Sequence, residues 1–213
     1  MSIIEEISAA MQAGKSKLVK QLVPQALEEG VYAQTILEEA LLAGMDIVGR
    51  KFKANEVFVP EVLVAARAMN AGTELLKPYL AEAGAESKGK VVLGTVKGDL
   101  HDIGKNLVRM MFEGKGLEVI DIGVDAEPEA FVKTAIDNDC KIIACAALLT
   151  TTMPEMASVV EAAKTAGIRN QVKIMIGGAP VTQTFCDFIG ADAYTPDAAS
   201  AADKAIELLA IFA

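Results

Sequence analysis

His101 is the only histidine among the 213 residues, so any site built from two imidazoles is excluded. Asp99 stands two positions earlier, near enough for its carboxylate to reach one ring nitrogen while the other faces a ligand. A carboxylate behind an imidazole fixes the tautomer and raises the basicity of the free nitrogen toward a metal. A lone histidine also serves as an ordinary structural residue, and residue type alone leaves both readings open. Gly98 and Gly104 flank the pair; each allows close backbone approach or simply serves a turn. The remaining nucleophiles of interest are Cys140, Cys145 and Cys186. Their odd number and lack of a Cys-x-x-Cys pair argue against a disulfide framework or a thiolate metal site. No histidine accompanies them in sequence to activate a thiol, and they read as small buried apolar residues.

The elements around His101 place it in a fold. From residue 90 onward, strongly apolar runs at 91–96, 117–122, 142–148 and 172–176 have strand length, and a weaker fifth lies near Ala193 and Tyr194. Helices are predicted at 104–114, 128–137, 154–166, 182–189 and 196–211, with Pro128 and Pro196 suiting first turns and Gly116 and Gly167 suiting helix ends. Five strands with intervening helices predict an α/β domain, a doubly wound, five-stranded parallel sheet of the flavodoxin-like, Rossmann type. In such sheets ligands bind beyond the carboxyl ends of the strands, near the topological switch. The loops at 97–104, 146–152 and 177–180 are therefore expected on one rim.

Residues 1–80 read as helix throughout. Ser2 and Glu5 form a capping-box pattern. Leu18, Leu22 and Ala26 continue a helical period through a segment that Pro24 is placed to kink. Leu37, Leu41, Gly44, Val48 and Phe52 make an apolar stripe, and Val62, Ala66, Met69, Thr73 and Leu76 make another after Pro60. Short connections predict an antiparallel four-helix bundle. The stretch 81–89 reads as a linker, giving a helical unit with linker over 1–88 and the sheet unit over 89–213.

Composition narrows the function class. The chain is 52% hydrophobic and 23% charged, as soluble globular proteins are. Its net charge is −9, it has no Trp, and neither half is basic, which argues against a nucleic-acid partner. No apolar run is long enough to span a bilayer, so no membrane partner is expected. The N-terminus lacks the basic and apolar regions of a signal peptide, and a cytoplasmic location is expected.

Asp99-x-His101-x-x-Gly104 resembles the DxHxxG motif of cobalamin-dependent methyltransferases and mutases, where it is followed by SxL and then GG. Here 41 residues separate Gly104 from Ala146-Ala147-Leu148, and 28 more precede Gly177-Gly178. Those gaps are similar to the family's, and three elements on one rim are far more specific than DxHxxG alone. The helical half looks like the cap over the corrinoid in methionine synthase and in small corrinoid proteins of methanogens and acetogens.

The resemblance implies a corrinoid (cobalamin) cofactor whose cobalt takes His101 as its lower axial ligand, after the cofactor's own base has left and entered a deep slot. It implies that Asp99 hydrogen-bonds His101 and that Thr152 completes a proton relay. Gly98, Leu100, Asp102, Ile103 and Gly104 would surround the ligand loop. Leu148 and Thr150 would follow the third strand, and Gly177 and Gly178 would let the nucleotide tail pass close to the backbone. Phe52 and Val59 would pack over the upper face, although periodicity alone reads them as bundle core. Thr152 with Glu155 is also a capping-box pattern for the next helix. One position departs from the family: the Ser of SxL is Ala146, which removes a contact to the cofactor tail unless Thr150 or water supplies it.

The implied function is a methyl carrier, cycling between methylcobalamin and cob(I)alamin states. A substrate-specific corrinoid methyltransferase would load it, a second methyltransferase acting on coenzyme M or tetrahydrofolate would unload it, and a reductive activation protein would restore it. The chain shows no separate substrate domain and is expected to act as a component rather than an autonomous enzyme. Three alternatives remain at this level: a small subunit of an adenosylcobalamin mutase, a cobalamin-sensing regulator, and a corrinoid-free flavodoxin-like signalling domain.

Overall fold

The chain opens with a reciprocal cap: the Ser2 hydroxyl accepts from the Glu5 amide at 3.3 Å, and the Glu5 carboxylate accepts from the Ser2 amide at 2.8 Å. Helix α1 (Ile3–Gln12) starts there, as the pattern of Ser2 and Glu5 predicts. The computed structural model describes residues 2–82 and 87–212. Its backbone divides into two compact units, Met1–Ser87 with Gly114–Gly116, and Lys88–Glu113 with Leu117–Ala213. Part of the expected linker, residues 83–86, lies outside the described residues.

In the first unit, α1 is followed by α2 (Ser16–Glu28), α3 (Ala33–Thr35), a π-helical stretch (Ile36–Leu42), α4 (Ala43–Lys53) and α5 (Val59–Glu82). Thr35 and Ala43 keep helical backbone angles, so α3, the π turns and α4 form one unbroken course and the unit holds four helical rods. Pro24 lies inside α2, which continues to Glu28. In the second rod Leu22 and Ala26 are buried as predicted, together with Val23, but Val19 takes the place of Leu18, which is exposed. Leu18 and Val19 are adjacent apolar residues, and period alone does not choose between them. In the third rod Leu41, Gly44 and Val48 are buried as predicted, but Ile36 and Ala40 replace Leu37. Each π turn carries an extra residue and rotates the inward face, which a strict helical period does not anticipate.

The second unit alternates β1 (Lys90–Thr95), α6 (Ile103–Gly114), β2 (Glu118–Asp121), α7 (Pro128–Asn138), β3 (Ile142–Ala146), α8 (Pro154–Thr165), β4 (Lys173–Gly177), α9 (Gln183–Ile189), β5 (Ala193–Tyr194) and α10 (Ala198–Leu209). All pairings are parallel and the strand order is β2-β1-β3-β4-β5, the flavodoxin-like order expected from the sequence. Pro196 does not open the last helix: the Asp197 carboxylate accepts from the Ser200 amide at 2.8 Å and caps α10 one residue after it.

The two faces of the sheet differ in side-chain size. Ile143, Cys145, Ile174 and Ile176 point into the apolar core that α7, α8 and α9 cover. Side chains alternate along a strand, so Leu93, Ala144 and Met175 form one row across the opposite face, in register. Thr95, Ala146 and Gly177 form the next row, at the carboxyl edge. Small residues in these rows leave the sheet bare beneath α6 and α10, and a cavity of about 520 Å³ opens there.

Candidate functional site

The cavity lies where the chain reverses direction across the sheet, between β1 and β3. It runs from His101, Ile103 and Gly104 at the rim to Leu93, Phe112 and Ala144 inside. Its volume falls in the range of about 300–1,000 Å³ typical of small-molecule sites. Leu100, His101, Asp102, Ile103, Gly104, Ala146, Leu148, Gly177 and Gly178, all candidates from sequence, line it together.

Asp99 organises the rim. Its side chain is fully buried, yet it collects five donors. Oδ1 accepts from the His101 amide at 3.1 Å and lies 2.7 Å from His101 Nδ1. Oδ2 accepts from the Leu148 amide at 2.8 Å, the Leu149 amide at 3.3 Å and the Thr152 hydroxyl at 2.8 Å. Burial alone would raise its pKa, and is the largest single influence. The donors from Leu148, the His101 ring and amide, and Thr152 together outweigh it and hold the carboxyl well below the usual carboxylate range. An ionised carboxylate only accepts, so Nδ1 carries the ring proton and Nε2 carries the lone pair. Among the described residues Nε2 has no hydrogen-bond partner, and half of the His101 side chain is exposed.

Thr152 is 7% exposed and shares its hydroxyl between Asp99 and the Leu149 carbonyl, at 3.0 Å. It does not cap α8. The N-cap residue is Met153, with no side-chain bond, so the capping box expected from Thr152 and Glu155 does not form. The Thr152 hydroxyl instead donates to the buried Asp99 carboxylate, a charge-assisted hydrogen bond.

Of the two motif glycines Gly178 and Gly104, only the first is required by packing. A Cβ on Gly178 would lie 1.8 Å from the Ala147 carbonyl oxygen, at a φ of +134° that favours glycine. A Cβ on Gly104, which lines the cavity, would meet no protein atom within 4 Å. Thr150 is exposed and is not among the residues that line the cavity. Phe52 and Val59 belong to the helical unit, where both are half-buried and outside its fully buried core.

Sequence reasoning passed over several residues. The Thr95 hydroxyl, fully buried, donates to the His101 carbonyl at 2.8 Å. Asp125 accepts from the Gly98 amide at 2.7 Å through Oδ1, and its own amide donates to the Asp99 carbonyl at 2.9 Å. Lys105, in the cavity wall and 3% exposed, pairs with both oxygens of Asp121, at 2.5 and 2.6 Å. The three cysteines are buried, and burial pushes the Cys140 thiol up to about 11.

Among the described residues no group of three or more His, Cys, Asp or Glu side chains converges on a metal site. With one imidazole to offer, the rim suits a metal that arrives with its other coordination positions already filled by a chelate. Leu100, Ile103 and Leu148 stand exposed around that imidazole, an apolar seat for a flat ring. Among the same residues no helix is long and apolar enough to cross a membrane.

Comparison with known proteins gives two family matches, both described as a B12 binding domain, over residues 89–205 and 3–77. The chain is 44% identical over 209 residues to dimethylamine corrinoid protein 1 of Methanosarcina acetivorans, covering 98% of each chain. It is 40% identical over 211 residues to a corrinoid protein of Desulfitobacterium hafniense, covering 98% of this chain and 96% of that one. In structure it is similar to a chain of the methanol:cobalamin methyltransferase complex MtaBC of Methanosarcina barkeri. The TM-score is 0.88 at 30% identity, over 98% of this chain and 80% of that one.

Proposed function

Because this chain belongs to the B12-binding family of corrinoid proteins, we propose that it is a methyl carrier that holds its corrinoid through His101 and serves two methyltransferases in turn. The residues fit such a cofactor. Nε2 of His101 is free and carries a lone pair, Leu100, Ile103 and Leu148 offer apolar support, and the cavity behind Ala146 and Gly177 admits a tail. When bound, the corrinoid supplies a cobalt centre that takes a methyl group from one substrate and yields it to another.

The protein's part is ligation and proton control. Asp99 fixes the Nδ1–H tautomer, so Nε2 is always presented as a ligand. The same carboxylate holds the ring proton on Nδ1 and leaves Nε2 facing the cavity rim. Thr152 donates to the far oxygen of the same carboxylate and tunes how strongly Asp99 attracts that proton. The partners proposed are a substrate-specific corrinoid methyltransferase, a second methyltransferase acting on coenzyme M or tetrahydrofolate, and a reductive activation protein. Relatives named for dimethylamine and trimethylamine make methylated amines the first donors to test.

The contact of Asp99 with both His101 and Thr152, beside an open apolar cavity, carries this reading. Because His101 is the sole histidine, labelling with ¹⁵N-histidine marks one residue. The chain reconstituted with cobalamin and reduced to cobalt(II) should show nitrogen splitting in its paramagnetic resonance spectrum that changes with the label, and this response to the label should vanish in His101→Ala. Splitting in the wild type that does not respond to the histidine label overturns the ligand. Donor turnover should require an added methyltransferase, and multiple turnovers by this chain alone would overturn the carrier role.

A further inference from the structure

We propose that Asp125, in the loop between β2 and α7, is a positioning residue that sets the aim of the His101 imidazole by clamping the peptide in front of it. The inference rests on the reading of His101 as the cobalt ligand.

The geometry is a two-point clamp. Asp125 Oδ1 accepts from the Gly98 amide at 2.7 Å, and the Asp125 amide donates to the Asp99 carbonyl at 2.9 Å. One residue thus holds both sides of the Gly98–Asp99 stretch from a segment 27 positions away in sequence. The segment itself is anchored: Thr95 donates its amide to the Gly123 carbonyl, Ala126 donates to the Thr95 carbonyl, and Val96 pairs with Ala126 as an isolated parallel bridge. Asp125 therefore extends the sheet register of β1 into the ligand loop.

Backbone strain at Asp125 supports a role beyond turn-making. Its φ is +52°, the left-handed region that costs most L residues free energy and that Asn and Asp tolerate best. Residues held there persist where the surroundings require them, and they cluster at functional sites. Here the left-handed angle brings the Asp125 carboxylate to the Gly98 amide and its own amide to the Asp99 carbonyl, the groups that flank the Gly98–Asp99 peptide on either side.

The remaining bonds show why the clamp reaches the ring. The Asp99 amide donates to the Val96 carbonyl at 3.1 Å, the His101 amide to Asp99 Oδ1, and the Thr95 hydroxyl to the His101 carbonyl. Every one of these ties fixes Asp99 or His101, but the Asp125 pair alone grips the Gly98 amide and the Asp99 carbonyl. Releasing it frees the backbone of Asp99 to rotate, and the carboxylate that orients Nδ1 moves with it.

Three variants separate the hydrogen bond from the strain. Asp125→Asn keeps the acceptor and tolerates the positive φ, Asp125→Gly keeps the φ and loses the acceptor, and Asp125→Ala loses both. In the cofactor-free chain, amide exchange at Gly98 should accelerate about tenfold in Asp125→Ala and Asp125→Gly relative to the core strands, and stay near wild type in Asp125→Asn. In the cobalamin-loaded chain reduced to cobalt(II), the ratio of histidine-ligated to unligated cobalt should fall about fivefold to tenfold in the Gly and Ala variants and be restored in the Asn variant. Equal ligation in wild type, Gly and Ala variants overturns the proposal while leaving His101 as the ligand. No histidine ligation in the wild type overturns the His101 reading and the proposal with it. A loss in Asp125→Gly that comes with uniformly faster exchange across β1, β3 and β4 marks global destabilisation and also overturns it.

Discussion

Thr152 Oγ1 donates to Asp99 Oδ2 at 2.8 Å across 53 residues of sequence, and the carboxylate's other oxygen reaches the ring of His101. One buried carboxylate therefore joins the loop after β1 to the loop after β3, and it does so through side chain and backbone donors together.

Replacing Thr152 by Ala should remove one donor from a buried anion and lower the unfolding free energy by about 1.5–3 kcal/mol, the range for hydrogen bonds to charged groups. Thr152→Ser should recover most of it. If the hydroxyl also tunes the proton affinity of the His101–Asp99 pair, Thr152→Ala shifts the pH dependence of cobalt(II) reduction in the loaded chain. Superimposable pH profiles for wild type and Thr152→Ala would leave the hydroxyl a stabilising role only.

The depressed pKa of Asp99 sets the behaviour in acid. The folded state binds its proton less readily than the unfolded chain, whose Asp titrates near about 3.9. The stabilisation is therefore complete above about pH 5 and drains as the pH falls through the unfolded value toward the folded one. Urea unfolding of the cofactor-free chain should show wild type more stable than Asp99→Asn by about 1–3 kcal/mol near neutrality, with the gap closing between about pH 5 and pH 2. A gap that holds constant over that range would assign the stabilisation to something other than the charge.

Ala146 gives a prediction with opposite signs in the two states of the protein. It lines the cavity in the row with Thr95 and Gly177 and is half-buried there. Ala146→Ser places a hydroxyl on an apolar wall, which should cost the cofactor-free chain up to about 1 kcal/mol. The same hydroxyl offers the cofactor tail a hydrogen bond, and affinity for cobalamin, measured by equilibrium dialysis, should rise about fivefold without a shift in the pH profile of reduction. Unchanged affinity would mean that the tail makes no polar contact at this position.

The strands and helices of the second unit were legible because their signals are local: apolar runs of strand length, Pro128 at a first turn, and Gly116 and Gly167 in left-handed conformations. The legible part of the site was the loop sequence around His101 through its resemblance to the family motif, together with its rim, since alternation of strands and helices puts the loops after the strands on one edge of a parallel sheet. What escaped were bonds between distant segments. Thr152 carries a local capping pattern that does not form, and its tie to Asp99 was anticipated only through the family resemblance, since nothing nearby in sequence reveals it. Asp125 carries no signal in the sequence, and its bonds to Gly98 and Asp99 form only because β1 and β2 lie side by side. Pro196 lost its expected position to Asp197 because an aspartate that bonds the Ser200 amide defines the helix start more strongly than the ring does.

The unequal faces of the sheet link cofactor supply to protein lifetime. Ala144, Ala146 and Gly177 give up the contacts that larger side chains would make, so the folded chain without a guest forgoes part of its interior cohesion. A molecule seated there replaces those contacts and binds only the folded form, so each tenfold rise in its free concentration above Kd adds about 1.4 kcal/mol of stability. Proteases act on opened chains, and the population of opened chains falls by the same factor. A cell short of corrinoid would therefore clear this chain faster than a replete one, with no dedicated sensor.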